Sequence, residues 1–263
     1  MRRIVIISDM HCGSRAGLTP PDWMYPEHCA DHERETFARN QRLTWAWFSR
    51  TIDRLRPIDY LFVNGDAIDG KGDRSGGTEQ LESDRSKQAE IASEIIRFIA
   101  APKIVMIYGT PYHVGNEEDW ERLVANDVNA GKIGGHEWVE VNGVVFDLKH
   151  KVGGSQIPHG RYTAVAREAL WNLVWSTQDG QPKADVIVRS HVHYFAHCGN
   201  SSTLAIVTPA LQGWGSKFGV RECAGTVDIG FLHFDVRGKG DYDWHAHILK
   251  PKANAAREMI LKL

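Results

Sequence analysis

The chain lacks the features that mark disulfide-rich, membrane-spanning or nucleic-acid-coating proteins. It has only 4 cysteines among 263 residues, far apart and without a C-x-x-C pair, so we expect reduced thiols rather than a disulfide framework or a zinc knuckle. Nowhere do about 18 apolar residues follow one another, so no membrane-spanning helix is expected. Lys and Arg number 31 and Asp and Glu 33, and this net charge of −2 excludes a general basic field for nucleic acid or lipid.

Internal repeats and low-complexity tracts are not visible in the sequence, and no signal peptide is expected. The apolar run Ile4–Ile7 is shorter than the h-region of about 7–15 residues that a signal peptide needs, and no A-x-A-like site follows it. With 42% apolar and 24% charged residues, the composition is typical of an ordinary globular protein. We therefore expect a cytoplasmic protein without membrane association, folded as a single domain over residues 1–263.

Strand and helix patterns alternate in the first 110 residues. Helical spacing of apolar residues covers roughly Glu33–Leu55 and Glu79–Ala100. Short β-branched runs that end in polar residues predict strands at Arg3–Ser8, Tyr60–Asn64, Ile104–Tyr108, Val144–Leu148, Val186–Arg189, Leu204–Thr208 and Val227–Asp235. Strand, helix, strand, helix, strand is the order of a parallel sheet with crossover helices.

The second half of the chain is richer in strands. Asn142–Gly143 lies between the apolar runs Trp138–Val141 and Val144–Leu148, which predicts a hairpin. A further helix is predicted at about Tyr162–Trp175, with its tryptophans in the core. We therefore expect an α/β fold, a four-layer α/β/β/α sandwich of two mixed β-sheets flanked by helices. The aperiodic, proline-containing loop at about residues 13–33 is predicted to lie on the substrate side.

Carboxylates and histidines follow the predicted strands directly. The residues in these positions are Asp9, His11, Asp66, His150, His191 and His193. Because the carboxyl ends of strands converge on a crevice in such folds, five separate segments can deliver these side chains to one place. Two carboxylates and four imidazoles are a sufficient ligand set for a pair of transition-metal ions.

These motifs resemble those of the calcineurin-like metallophosphoesterases, particularly phage and prophage members. The matching residues are Asp9-x-His11, Gly65–Asp66-x-x-Asp69–Gly70, a degenerate motif at Gly109–His113, a lone His150, and Ser190–His191-x-His193. The resemblance implies that one ion is held by Asp9, His11, Asp66 and His193, and a second by Asp66, His150 and His191. We expect Asp69 to support His11 rather than to bind metal.

The third motif departs from the family pattern Gly-Asn-His-Asp/Glu. Here Thr110 stands in the position of the Asn ligand, where it offers only a hydroxyl to the second ion, and His113 is the nearest candidate for the family histidine. We predict that His113 is catalytic and protonates the leaving group. The alternative register, Gly115–Asn116–Glu117, would make Asn116 the ligand; we prefer Thr110 because Gly109 directly ends the strand.

The resemblance implies a dinuclear metal-dependent phosphoesterase that hydrolyses phosphate esters by metal-bound hydroxide, and we expect a phosphodiesterase. Mn²⁺ is the expected metal, with Fe, Zn, Ni and Mg as alternatives. A DNA or RNA nuclease of the same family and a metal-binding scaffold without turnover are the alternative functions. The sequence does not indicate an oligomeric state.

Four further residues are predicted to contact the phosphate-ester substrate. They are Arg15, Tyr112, His159 and Arg161, which lie in or next to loops that follow the predicted metal ligands. The other histidines are assigned to the surface or core. His245-x-His247 resembles a metal-binding pair, but alternation in a terminal strand explains it equally well.

Overall fold

Two β-sheets form the centre of the protein in the computed structural model, which describes residues 1–28, 31–115, 119–216 and 227–250. The strands are β1 (Arg2–Ile7), β2 (Tyr60–Asn64), β3 (Lys103–Ile107), β4 (Lys132–Gly134), β5 (Glu137–Val141), β6 (Val144–Lys151), β7 (Val186–Ser190), β8 (Ala196–Gly199), β9 (Leu204–Val207), β10 (Gly230–Gly238) and β11 (Asp241–Ile248). The helices are α1 (His32–Leu55), α2 (Arg85–Ile99), α3 (Pro111–Val114), α4 (Trp120–Asp127) and α5 (Pro158–Thr177).

Both sheets are mixed. The six-stranded sheet has the order β11-β10-β1-β2-β3-β4, in which β1 to β4 run parallel and β10 and β11 pair antiparallel. The five-stranded sheet has the order β5-β6-β7-β9-β8, in which β6, β7 and β9 run parallel. The predicted hairpin joins β5 to β6 through Asn142 and Gly143, both of which have positive φ.

Alternation along the strands divides the core into layers. In β1, Ile4 and Ile6 point between the two sheets and pack with Phe62 and Phe146. Val5 and Ile7 point outward instead, into a cluster that contains residues of α1 and α2. Helix α5 covers the outer face of the other sheet. The predicted α/β/β/α sandwich is confirmed, and burial of each large apolar side chain contributes about 1.5–3 kcal/mol.

Some element boundaries differ from the predictions because capping and glycine outweigh periodicity. Helix α2 begins at Arg85 rather than Glu79. Asp84 caps this N-terminus by accepting a hydrogen bond from the backbone N–H of Ser86. Gly72, Gly76 and Gly77 precede it with positive φ, which keeps this stretch a loop. The last predicted strand starts at Gly230 rather than Val227. Elements α3, α4, β4 and β8 were not predicted, since they are too short to show a period.

The tryptophans of α5 correct one prediction. Trp171 and Trp175 are 51% and 43% exposed, not in the core. The buried face of α5 consists of Ala164, Val165 and Asn172, and the two indoles stack on each other outside it, with ring centroids 6.2 Å apart. Neither α5 nor any other helix within the described ranges combines the length and apolarity needed to cross a membrane.

Two of the four cysteines can be placed. Cys12 is a buried free thiol and Cys198 a partly exposed one, in agreement with the expectation of reduced cysteines. Cys29 and Cys223 lie outside the described residues.

Candidate metal centre

The loops that follow β1, β2, β3, β6 and β7 meet at one edge of the sandwich. The carboxyl ends of the parallel strands of both sheets lie there, which is where α/β folds bind ligands. The last residues of β6 and the loops that follow β1, β2 and β7 bring together all six side chains that the strand-end positions singled out: Asp9, His11, Asp66, His150, His191 and His193.

Asp9, His11 and His193 form one half of this centre. Nε2 of His11 lies 3.2 Å from Nε2 of His193, which in turn lies 3.3 Å from Oδ1 of Asp9. All three side chains are at most 3% exposed. Their ligand atoms are close enough to share one metal ion.

Asp66, His150 and His191 form the other half. Oδ2 of Asp66 lies 3.0 Å from Nε2 of His150 and 3.9 Å from Nδ1 of His191. The halves adjoin, because Nε2 of His150 is also 3.9 Å from Oδ1 of Asp9. Two adjacent groups of this composition suit a pair of divalent transition-metal ions.

His113 stands beside both halves. Its Nε2 lies 4.0 Å from Oδ2 of Asp66, and its ring meets that of His11 edge to face with centroids 4.4 Å apart. Nδ1 donates to the backbone carbonyl of Asp69, 2.7 Å away, so Nε2 faces the centre. Asp69 lies against His11, with Oδ1 3.5 Å from Nδ1. His11, Asp69 and His113 form a third group whose atoms could hold a metal.

Thr110 contacts Asp66 directly. Its backbone N–H donates to Oδ1 of Asp66 at 2.7 Å, and its hydroxyl lies 3.2 Å from the same atom. The hydroxyl is thus next to the second half of the centre, where the predicted ligand should be. Tyr112 lines the cleft above it. Asn116, the alternative ligand, lies outside the described residues.

Three of the residues predicted to contact substrate are not among the described residues that line the cleft at this centre. The guanidinium of Arg15 pairs with Glu33 at 2.9 Å and lies over the ring of Phe37, 4.4 Å from its centroid. His159 is exposed on the first turn of α5, and the guanidinium of Arg161 lies over the ring of Tyr194, 4.5 Å from its centroid. His159 and Arg161 follow His150 in the sequence, but α5 carries both onto the outer face of the second sheet.

Five of the six residues at the centre have an unusual backbone. Asp9, His11, Asp66, His191 and His193 have φ of 50°, 45°, 51°, 80° and 54°, and they make up more than half of the nine non-glycine residues with positive φ in the described ranges. Each such residue costs about 1–3 kcal/mol and persists only where the surrounding structure holds it in this conformation. Strain of this kind concentrates at functional sites. The strain is therefore an independent indication that these turns serve a function.

Two glycines permit the close approach of the loops. A Cβ on Gly65 would collide with the imidazole of His150, and one on Gly109 would collide with the carboxylate of Asp66. Gly65 directly follows β2, and Gly109 is the second residue after β3. A glycine just after a strand therefore marks both the motif in the sequence and a point where the backbone has no room for a side chain.

A chain of buried polar groups supports the centre from behind. Nδ2 of Asn64 donates to Oγ of Ser190, whose hydroxyl contacts Oγ1 of Thr208 at 2.8 Å, and Thr208 contacts Oγ of Ser8 at 2.6 Å. The chain links the ends of β1 and β2 to those of β7 and β9. The carbonyl of Asn64 accepts from Nδ1 of His150 at 2.7 Å, which directs Nε2 into the centre.

Glu121 on α4 is a supporting residue that sequence reasoning missed. It is fully buried, and its two carboxylate oxygens accept the backbone N–H groups of Ala67 and Gly109, each at 2.7 Å. It thereby joins the loops after β2 and β3. Burial, followed by the nearby charge of Asp66, raises the pKa of Glu121 to about 7. The apolar neighbours on its helix face, such as Val124, were the available signal.

The electrostatics of the centre fit a bound cation. Burial opposes a positive charge on His150, yet Asp66 and Asp9 together raise its pKa to about 10, because a buried carboxylate pair favours a positive partner. Burial and the neighbouring His193 lower the pKa of His11 to about 4, which keeps its imidazole neutral as a ligand must be. Oδ1 of Asp9 and Nδ1 of His11 are buried without a hydrogen bond from the described residues. A divalent cation fits this donor set.

The centre opens into a cleft of about 800 Å³. Lys151 is the one lysine or arginine among the described lining residues. Sequence reasoning missed it too, although it directly follows His150. Asp69 and Glu79 add negative charge to the wall. Of the predicted substrate-side loop, Ser14 lines the cleft.

Solved structures with a similar backbone arrangement include Vps29 and phosphoesterases. Zn²⁺-complexed Vps29 from Entamoeba histolytica is 14% identical with a TM-score of 0.46, over 94% of this chain and 98% of that one. An archaeal phosphodiesterase is 14% identical with a TM-score of 0.44, over 93% and 99%. A protein from Streptococcus pneumoniae described as a predicted phosphoesterase is 11% identical with a TM-score of 0.39, over 94% and 98%. No family model and no curated protein matches the chain.

Proposed function

We propose that this protein is a dinuclear metal-dependent phosphoesterase of the calcineurin-like type, and that it acts on phosphodiesters. One observation carries the proposal: two adjacent groups, each of one carboxylate and two imidazoles, lie side by side at the base of a single cleft. Chemistry at a phosphorus atom is a common use of two adjacent divalent ions.

The residues that would hold the metal ions follow from the two groups. Asp9, His11 and His193 would hold one ion, and His150 and His191 the other, with Asp66 between them and the Thr110 hydroxyl beside the second. Two such ions, when bound, polarise the phosphate and lower the pKa of water. Imidazole ligands suit Fe, Zn²⁺ and Ni²⁺, whereas carboxylate ligands suit Mn²⁺ and Mg²⁺. For this mixed set of imidazoles and carboxylates we propose Mn²⁺.

His113 is proposed to serve the leaving group. Its Nδ1 is occupied by the carbonyl of Asp69, so Nε2 is the atom that meets substrate. Burial lowers the pKa of His113 in the substrate-free protein. An anionic phosphate beside the ring raises that pKa again, so Nε2 can hold the proton that a departing alkoxide requires.

The charge of the cleft favours a diester over a monoester. Lys151 supplies the one permanent positive charge among the described lining residues, whereas Asp69 and Glu79 are acidic. A phosphodiester carries one negative charge and a monoester close to two, so these acidic side chains repel the monoester more strongly. The net charge of −2 also argues against a long nucleic acid, whose binding requires many basic contacts.

A substrate panel with metal-stripped protein tests the proposal. The protein is incubated with Mn²⁺ and then with bis-p-nitrophenyl phosphate, p-nitrophenyl phosphate, a cyclic nucleotide, and single- and double-stranded DNA. We expect Mn²⁺-dependent turnover, fastest with the small diesters. Preference for DNA would replace the proposal with the nuclease alternative, and a raised melting temperature without turnover of any substrate would replace it with the scaffold alternative.

A further inference from the structure

Three histidines lie together on the outer two strands of the six-stranded sheet, away from the candidate metal centre. His233 on β10 is directly opposite His245 on β11, and His247 lies two residues further along β11 on the same face. None of the three is among the described residues that line the cleft. Alternation accounts for their common face, but it does not require three imidazoles at these positions.

The spacing of the three rings matches that of imidazoles on one metal ion. The ring centroids are 4.7 Å apart for His245 and His247, 4.9 Å for His233 and His247, and 6.0 Å for His233 and His245. Imidazoles bound to one tetrahedral ion, at a metal–nitrogen distance of about 2.0–2.1 Å, hold their ring centres roughly 5 Å apart. The ring spacing is therefore that of a three-imidazole site, but the ligand nitrogens of the three residues do not all lie together, and a ring must turn to complete the site.

Two of the three rings are already held in place. Nε2 of His247 lies 2.8 Å from Nδ1 of His233, and the His247 ring stacks on the buried ring of Phe231, with centroids 4.9 Å apart. His245 is exposed and can turn toward the pair. A cation at the pair would take the place of the proton between the two nitrogens, which would move apart to the roughly 3.3 Å that separates two nitrogens on one tetrahedral ion.

The surroundings keep these imidazoles available as ligands. Burial, and then each neighbouring imidazole, lowers the pKa of His247 to about 4, and burial also lowers that of His233. Neutral imidazole is the form that binds metal. Arg54 of α1 adds positive charge near His247, and near His233 the negative charge of Asp235 is opposed by the positive charge of Arg3.

We propose that His233, His245 and His247 form a second metal site, which binds one late transition-metal ion of the Zn²⁺, Cu²⁺ or Ni²⁺ class. A donor set of three imidazoles without a carboxylate favours these ions over Mg²⁺, Ca²⁺ and Mn²⁺. The site joins β10 to β11 near the open end of their hairpin, opposite the turn at Lys239 and Gly240. A bound ion would therefore fasten the edge strand β11 to the sheet.

Cu²⁺ binding to the full chain tests the second site, with His245→Ala as the main variant because His245 is exposed and its removal leaves no cavity. His159→Ala, which removes an exposed imidazole from α5, is the matched control. We expect wild type and His159→Ala to bind one more Cu²⁺ than His245→Ala. Loss of a residue that only supports a metal ligand lowers metal affinity roughly 10–100-fold. Loss of a ligand itself, as in His245→Ala, should lower the Cu²⁺ affinity of this site by at least that factor.

Electron paramagnetic resonance of the bound Cu²⁺ provides a second measurement. A signal from three coordinated nitrogens should be present in wild type and reduced to two in His245→Ala and in His233→Gln. Equal Cu²⁺ stoichiometry and affinity in wild type and His245→Ala would overturn the proposal, as would spectra that do not change. Phosphodiesterase activity with Mn²⁺ should be the same in wild type and His245→Ala, so failure of the second site is distinguishable from failure of the proposed function.

Discussion

Nε2 of His150 lies 3.0 Å from Oδ2 of Asp66, although 84 residues separate the two in the chain. One residue comes from each sheet, so the contact exists only because the carboxyl ends of β2 and β6 meet across the sandwich. The contact holds together one half of the candidate metal centre, and the same Nε2 of His150 lies 3.9 Å from Oδ1 of Asp9 in the other half. Five predictions follow from the geometry around it.

Asp66→Asn is expected to remove both metal binding and activity. Asp66 contacts His150 and His191 and is proposed to bridge the two ions, and an amide in its place loses the negative charge that a pair of cations requires. Metal analysis after dialysis against Mn²⁺ should show fewer than two ions, and turnover of bis-p-nitrophenyl phosphate should fall to background. Asp53→Asn, an exposed residue on α1, is the control. Retention of two tightly bound ions in Asp66→Asn would contradict the bridging role.

His113→Ala is expected to slow substrates selectively. General acid catalysis typically contributes 10²–10⁴-fold, but p-nitrophenolate leaves without protonation. The variant should therefore lose roughly that factor with a cyclic nucleotide and much less with bis-p-nitrophenyl phosphate. The comparison of kcat for the two substrates is the measurement. An equal loss on both would mean that His113 positions the phosphate instead of protonating the leaving group.

Lys151→Ala is expected to weaken substrate binding. A hydrogen bond to a charged group contributes about 1.5–3 kcal/mol, so KM for an anionic diester should rise by roughly tenfold or more. Lys149→Ala is the matched control, because Lys149 lies on the same strand but lines a different cleft of about 340 Å³. Steady-state kinetics at low and high salt provide the measurement. An unchanged KM would remove Lys151 from the substrate site.

Gly109→Ala is expected to disturb the centre through its backbone. The added Cβ would collide with the carboxylate of Asp66, so both the Mn²⁺ stoichiometry and the melting temperature should fall. Gly135→Ala is the control, since a Cβ at Gly135 meets nothing within 4 Å. Its stability should stay within about 0.5 kcal/mol of wild type. Equal behaviour of the two variants would show that the loop yields to a side chain.

Glu121→Gln is expected to change the pH dependence of stability in metal-free protein. Burial raises the pKa of Glu121 from 4.5 to about 7, so between these values the folded protein keeps a proton that the unfolded chain has released. The contribution of Glu121 to the free energy of unfolding is therefore complete below pH 4.5 and decreases by up to about 3 kcal/mol as the pH rises to 7.

Denaturant unfolding in chelator between about pH 4.5 and 8 checks this prediction. The wild-type free energy of unfolding should fall with rising pH more steeply than that of Glu121→Gln. Glu90→Gln, an exposed change on α2, should follow wild type. Parallel curves for wild type and Glu121→Gln would contradict a raised pKa at this carboxyl group.

Much of the site was accessible from the sequence because one rule connects it to the fold. Side chains that directly follow parallel strands lie at one edge, so Asp9, Asp66 and His191 could be grouped without knowing any distance. Position after a motif was a poorer guide. His159 and Arg161 follow His150 closely in the chain. Helix α5 nevertheless begins at Pro158, after His150, and carries both residues to another face.

Glu121 illustrates what local pattern could not reach. It belongs to a helix of eight residues, too short for its period to be recognised, and its partners are backbone groups of two loops that come from elsewhere in the chain. The exposure of Trp171 and Trp175 has the same origin. Helical spacing puts apolar residues on one side, but only the neighbouring sheet decides whether that side is covered.

The sequence by itself determined which segments become strands and helices and which polar side chains stand at the strand ends, because these properties depend on neighbouring residues and on the period of the apolar pattern. The tertiary structure alone decided the distances at which the strand ends of the two sheets bring these polar side chains together. It also decided that five residues of the centre take positive φ, and that Lys151 and Glu121 join it. These features depend on contacts between residues far apart in the chain, and packing of the two apolar sheet faces against each other brings those residues together.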